Sequence, residues 1–186
     1  MKISINKEQL GEVELMLKGL SLDGPKILTR ALNKTATKGR TRSSEEIRKQ
    51  VNLKAAYVKG KLNISRATYK NLQSKITAEK RGVLMTRYPH TMLARGGVTV
   101  KIKRNGARAK LPSAFKTFVY AGGKRVEVLA TPATGKYRTG NRKMKVLYSP
   151  SVSQVFNAVR DDIDAEMVDY LAAQTEIQVD TALRGY

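Results

Sequence analysis

Residues 27–50 read ILTRALNKTATKGRTRSSEEIRKQ. Ile27, Leu28, Ala31, Leu32, Thr35, Ala36 and Ile47 return at helical spacing and mark a side to be buried. Lys26, Arg30, Lys34, Lys38 and Arg42 return every four residues in a row of their own. Just upstream, Asp23, Gly24 and Pro25 make a good helix start, because an Asp caps unbonded amides and an early Pro forfeits none that are bonded. The stretch predicts one long basic helix from about Pro25 to about Gln50, roughly 35–40 Å in length. Gly39 is its internal weak point. Such a helix either grips nucleic acid or sits inside a charged assembly, and its own residues leave both open.

Outward from this helix, the apolar residues Leu10, Val13, Leu17 and Leu20 predict a first helix over 7–20, capped by Asn6. NLKAAYVKGKL, from Asn52, suits a short third helix. The period then changes to two. Leu72, Ser74, Ile76 and Ala78 alternate with polar residues as in a half-buried strand. GGVTVKIKRNGARAKL predicts a hairpin with a two-residue turn at Asn105-Gly106, and FKTFVYAGGKRVEVLAT a second hairpin turned at Gly122-Gly123. TPATGKYRTGNRKM has no period and is expected to be a long basic loop over 131–143. Val152, Val155, Phe156, Val159, Ile163, Met167 and Tyr170 trace one face of a last, acidic helix that opens near SPSVSQVF. The fold class is α+β: N-terminal helices including one long basic helix, a mainly antiparallel β-sheet with hairpins, and a C-terminal acidic helix. The 186 residues are expected to form a single domain, with a helical part over 1–70, the sheet and basic loop over 71–148, and the helix and tail over 149–186.

The net charge is +21 and unevenly placed. Residues 26–145 hold 31 Lys and Arg against four acids, Glu45, Glu46, Glu79 and Glu127, whereas residues 146–186 hold two against seven. A basic body with an acidic end suits contact with phosphate, with acidic protein, or between copies of the chain. Cysteine is absent, which leaves no disulfide framework and no thiolate zinc site. No membrane span is legible, and Glu12 and Glu14 fall where a signal peptide would need apolar residues.

Catalytic patterns are missing as well. His90 is the one histidine, it lacks a nucleophile-elbow partner, and RYPHTML reads as a loop or surface segment. Asp161, Asp162, Asp164 and Glu166 spread over the solvated faces of the last helix and do not gather into a metal site. No enzyme and no cofactor are expected. Phe115, Phe118, Tyr120, Tyr137 and Tyr148 lie among basic residues as bases' stacking partners do, and are read here as the core of a half-buried sheet.

LTRALNKTATKGRTRSSEEIRKQVNLKAAYVKGKLNISRAT resembles the N-terminal half of the phage minor tail protein Z family, also called tail completion proteins. The resemblance rests on Ala31-Leu32-Asn33, the small and basic residues from Ala36 to Arg42, Leu53-Lys54 and Arg66-Ala67-Thr68. LPSAF before a hairpin and LYSPSVSQVF at the last helix are similar to later segments of the same family, in the same order, across roughly residues 27–160. Ser113 and Ser149 stand where the family pattern has Gly.

The resemblance implies a structural virion protein at the head-proximal end or neck of a phage tail, needed for tail completion and head–tail joining and lining or adjoining the DNA path. Its implied partners are other neck and tail proteins (terminator, tube, connector), further copies in a ring of six or a multiple of six, and genomic DNA; no membrane is implied. Its place would be the virion, after assembly in the host cytoplasm. The alternative is a free, sequence-nonspecific nucleic-acid-binding protein. Candidate residues facing DNA or a partner are Lys34, Lys38, Arg42, Lys101, Lys103, Arg104, Arg108, Lys136, Arg138, Arg142 and Lys143. Candidate subunit-contact residues are Val155, Phe156, Val159, Asp161, Asp162 and Asp164.

Overall fold

A computed structural model describes residues 2–4, 23–136 and 142–184, the first three by backbone alone. The helix expected over 7–20, Tyr137 and Arg138 lie outside the described residues. The chain forms two compact units: Met1–Glu46 with Lys59–Glu79 and Phe156–Tyr186, and Ile47–Val58 with Lys80–Val155.

The first unit is built on α1, Gly24–Gln50, whose residues up to Glu46 belong to it. Asp23 caps the helix, its carboxylate accepting from the Lys26 amide at 3.1 Å, a bond worth about 1 kcal/mol. Ile27, Leu28, Ala31, Leu32 and Ala36 are all buried, as their spacing requires. Thr35 and Ser43 are buried too, and they satisfy their hydroxyls within the helix by donating to Ala31 O at 2.9 Å and Gly39 O at 2.6 Å. The helix runs unbroken through Gly39, which is itself buried.

Beside α1 lies an antiparallel sheet in the order β1 (Lys2–Ser4), β3 (Gln73–Ala78), β2 (Leu62–Ser65). β3 buries Ser74 and Ile76 and exposes Gln73, Lys75 and Thr77, the alternation read from the sequence. β2 occupies a stretch expected to be helical. Its four residues, LNIS, are too few to display a period. Asn33 ties α1 to this sheet: it donates to Ala67 O at 3.1 Å, and accepts from Ala67 N at 2.9 Å and Ser74 Oγ at 3.3 Å. The unit is closed by α3, Val152–Leu183, of which residues from Phe156 onward belong here. Phe156, Val159, Ile163 and Met167 form its buried stripe.

The second unit is mostly strands. β8 (Phe115–Ala121) and β9 (Lys124–Lys136) form the second hairpin as expected, with Gly122 and Gly123 at φ 57° and 73° in a two-residue turn. β10 (Arg142–Val146) adds to the other edge of β9. The loop expected over 131–143 is therefore a correction: residues 131–136 are the end of β9, and Arg142 and Lys143 begin β10. Beyond Ala130, β9 has β10 as its one ladder partner, so Pro132 stands on an edge where a missing donor is tolerated.

β4 (Gly82–Leu84) pairs with β11 (Tyr148–Ser151), so the last helix opens only after Ser151. Ser151 and Gln154 make a reciprocal cap there. Ser151 N donates to Gln154 Oε1 at 2.9 Å, and Gln154 N to Ser151 Oγ at 3.2 Å. A third sheet has the order β5 (His90–Met92), β6 (Val98–Val100), β7 (Ala109–Leu111). Its β6–β7 hairpin exists, but the two-residue turn at Asn105-Gly106 does not: Gly106 is not among the positive-φ glycines, and residues 101–108 form a wide loop. Backbone bonds to the end of α1 and the residues just after it pull this loop open. Asn52 N donates to Ile102 O at 2.8 Å, and Arg104 N to Gln50 O at 3.1 Å. The short α2 (Ala55–Gly60) follows that contact.

Candidate functional site

The last carbonyls of a helix lack intrahelical donors and carry partial negative charge, so a cation settles there. At the C-terminus of α1, Arg104 fills this role, with its amide on Gln50 O and its Nη1 3.4 Å from Arg48 O. That docking carries loop 101–105 alongside residues 48–54. Facing both is the segment Thr86–His90, which runs from a short 3-10 turn at Met85–Arg87 into β5. Between the three segments lies a cleft of ≈ 850 Å³, lined by residues of the second unit alone.

Arg48, Lys54, Arg87, Lys101 and Arg104 line this cleft, and no carboxylate does. The Arg87 guanidinium stands 5.4 Å from the centroid of the Tyr57 ring, within cation–π range. Arg48 Nε is buried and makes no hydrogen bond among the described residues. His90, expected in a loop or on the surface, is instead the half-buried first residue of β5. Its Nδ1 donates to the Tyr88 carbonyl at 2.9 Å, which leaves Nε2 as the acceptor of the neutral ring.

Tyr88 is buried beneath the cleft, and its hydroxyl accepts from Ser149 Oγ at 2.8 Å. Burial pushes this hydroxyl above the ordinary 10.0, against the opposing effect of the Ser149 bond. The folded state then holds the proton more tightly than the unfolded chain. Its contribution to stability is complete below about pH 10 and is lost as pH rises through the raised folded value. Tyr88→Phe should therefore cost about 1 kcal/mol near neutrality, since Ser149 Oγ keeps Pro150 O at 3.2 Å as an alternative acceptor. The variant should also decline less steeply than the parent in urea midpoints between about pH 8 and about pH 11. An unchanged alkaline decline would show that Tyr88 does not contribute to it.

The structure separates the cations read from the sequence. Lys101 and Arg104 line the cleft, Lys103 is exposed and bridges its backbone to Val51, and Arg108 donates to Thr91 Oγ1 at 3.0 Å. Lys136, Arg142 and Lys143 are exposed at the far end of the β9–β10 ribbon. Lys34 and Lys38 belong to the first unit, where they line a shallow hollow of ≈ 470 Å³ with Arg66 and Tyr170. Arg42 is engaged by Glu166 at 2.8 Å and Glu45 at 3.3 Å, contacts that hold its guanidinium above the usual range. Arg48, Lys54 and Arg87 were not legible as site residues. The one local signal was the placement of Arg48 in the last turn of α1.

Two further expectations are corrected. Phe156 and Val159, expected at a subunit contact, are 3% and 4% exposed in the protein's own core, and only Val155 of the three apolar candidates is partly open. Asp161 and Asp162 remain exposed, whereas burial holds the Asp164 carboxyl above its ordinary range despite Arg160 nearby. The aromatics read as sheet core are open instead: Phe118 is 44% and Tyr120 80% exposed, and Phe115 and Tyr148 are exposed as well. Alternation on β8 puts Phe118 and Tyr120 on one face, where the Arg125 guanidinium lies 3.7 Å from the Phe118 ring.

Among the described residues, no group of three or more His, Asp or Glu is placed to hold a metal ion, and no helix is long and apolar enough to cross a membrane. The molecule is an α+β protein in which five cations line one cleft free of carboxylates. By sequence it falls among the structural tail proteins of phages, a class not known for enzymes. Residues 15–186 match the family described as prophage minor tail protein Z (GPZ), and the chain belongs to that family. No curated protein and no solved structure matches it.

Proposed function

We propose that the protein is a non-enzymatic structural part of the virion at the head-proximal end of the tail. There it serves tail completion and head–tail joining, with its basic surface beside the DNA path. Membership of the minor tail protein Z family over residues 15–186 is the observation that carries this reading. The acid-free cleft supports the place beside DNA, because a wall of cations with no carboxylate in the lining is stabilised next to phosphate and destabilised next to more of itself. Partners in this position are the terminator, tube and connector proteins, and further copies of the chain in a ring of six or a multiple of six.

Contact between copies would use the outer face of α3. Asp161, Asp162 and Asp169 are exposed there, and Val168, Ile177 and Leu183, not Phe156 and Val159, supply open apolar area. Each surface ion pair contributes about 0–1 kcal/mol, so charge sets register and encounter more than affinity.

Deletion of the gene from an inducible prophage tests the role. The expected result is filled heads and separate tails in electron micrographs, with joined particles restored by the gene supplied in trans. Joined, infectious particles at the parental yield in the deletion strain would overturn it.

A further inference from the structure

We propose that the cleft of the second unit holds the phosphodiester backbone of a single nucleic-acid strand, gripped without regard to base sequence. The proposal deepens the tail role above and rests on it for the source of the strand. The chemistry of the grip comes from the cleft itself.

Five cations converge on the cleft and no carboxylate lines it, so the space is stabilised by an anion. Arg48 Nε is a buried donor with no hydrogen bond among the described residues. A buried donor without an acceptor is destabilising, and more so on a charged group, so an anionic oxygen accepting from Arg48 Nε removes a penalty already present. Two other guanidiniums are held before any ligand arrives, Arg104 by the Arg48 carbonyl and Arg87 over the Tyr57 ring. Preorganised forks suit phosphate oxygens and lose little freedom on binding.

The lining also discriminates among polyanions. A protein partner needs apolar side chains to bury at the centre of its contact. The large apolar residues here, Leu53 and Tyr88, are 6% and 3% exposed and already spent on the unit's own core. An acidic peptide would find charge and little apolar area, Pro89 being the exposed apolar residue of the lining, whereas a phosphate backbone asks for charge alone. With the Tyr88 ring buried, no Phe, Tyr or Trp ring of the lining is open to stack on a base, so the grip carries no base preference. At ≈ 850 Å³ the cleft has room for a short run of one strand's phosphodiester backbone.

The test is fluorescence polarisation of the full chain with a labelled mixed-sequence DNA 12-mer, titrated at several salt concentrations. Single strands lose affinity with a slope of about −0.7 per neutralised phosphate in log–log form. Arg87→Ala and Lys54→Ala should each flatten the slope by about 0.7 and weaken binding about fivefold at 0.1 M salt. Lys145→Ala, which removes an exposed cation of β10 outside the cleft, should change neither and controls for net charge. Circular dichroism confirms that each variant is folded.

Equal losses in Lys145→Ala and the cleft variants would overturn the assignment by showing that bulk charge binds the strand. Inorganic pyrophosphate displacing the 12-mer at matched phosphate concentration would overturn it in favour of a small-anion pocket. Poly-glutamate bound more tightly than DNA, with the same dependence on Arg87 and Lys54, would overturn it in favour of an acidic protein. Absence of the protein from tails bears on the tail role alone and leaves this assay untouched.

Discussion

Ala31→Asp is expected to unfold the first unit under conditions in which the parent is stable. Ala31 is fully buried on α1 between Ile27, Leu28 and Leu32, on the side that faces the core. Arg30 and Lys34, the row members nearest to it along the helix, are exposed to solvent. An aspartate there either remains charged without a partner or takes up a proton against its ordinary affinity, at a cost of several kcal/mol either way. That is a large part of the stability of a typical domain. Urea denaturation should show a midpoint near zero, or no folded baseline. Lys34→Asp, on the exposed side of the same helix, should change stability by only about 0.5 kcal/mol. If the Ala31 variant melts like the parent, the buried face of α1 is wrongly assigned.

The second large effect is expected at Gly97. Its φ is +91°, and a Cβ there would stand 2.8 Å from Leu111 O and from Pro112 Cα and O. All three are backbone atoms and cannot swing aside. Backbone strain at such a φ costs on the order of 1–3 kcal/mol, and overpacking adds a similar amount. Gly97→Ala should therefore destabilise the second unit by about 2–5 kcal/mol, whereas Gly96→Ala, with open space around its Cβ, should pay the strain alone. The sheet β5–β6–β7 anchors His90 at one end and the 101–108 loop between its strands. Hydrogen exchange should accordingly show protection lost in 90–111 first. Equal protection in the two variants would mean that the close approach at Gly97 is not a constraint.

How much of this was legible from the sequence depends on how local each feature is. α1 was readable because twenty-seven residues give a helical period room to repeat, and its Asp23 cap and Pro25 sit within three residues. The β8–β9 hairpin was readable because Gly122-Gly123 specifies its turn at the turn itself. Short strands were not. β2, β4, β5 and β11 have three or four residues each, too few to show alternation, and β4 and β11 are paired with each other from distant parts of the chain. The end of β9 carries no apolar period, because no residue of the ribbon beyond Thr131 is buried. Asn105-Gly106 misled because a local turn preference competed with bonds from residues 50–52, and the distant bonds won. The cleft follows the same logic. It joins residues 48–54, 86–90 and 101–105, none of which bears a motif. Its one local trace, a cation in the last turn of α1, is common to many helices.

The most direct test of the central claim is a reconstruction of the intact particle at side-chain resolution. This chain is expected to form a closed ring at the head-proximal end of the tail, with six copies or a multiple of six. The cleft of Arg48, Arg87 and Arg104 should face the channel that carries DNA, and the outer face of α3 should meet a neighbouring subunit. A chain found at the distal end of the tail, or with that cleft turned to the outside of the particle, would contradict the account.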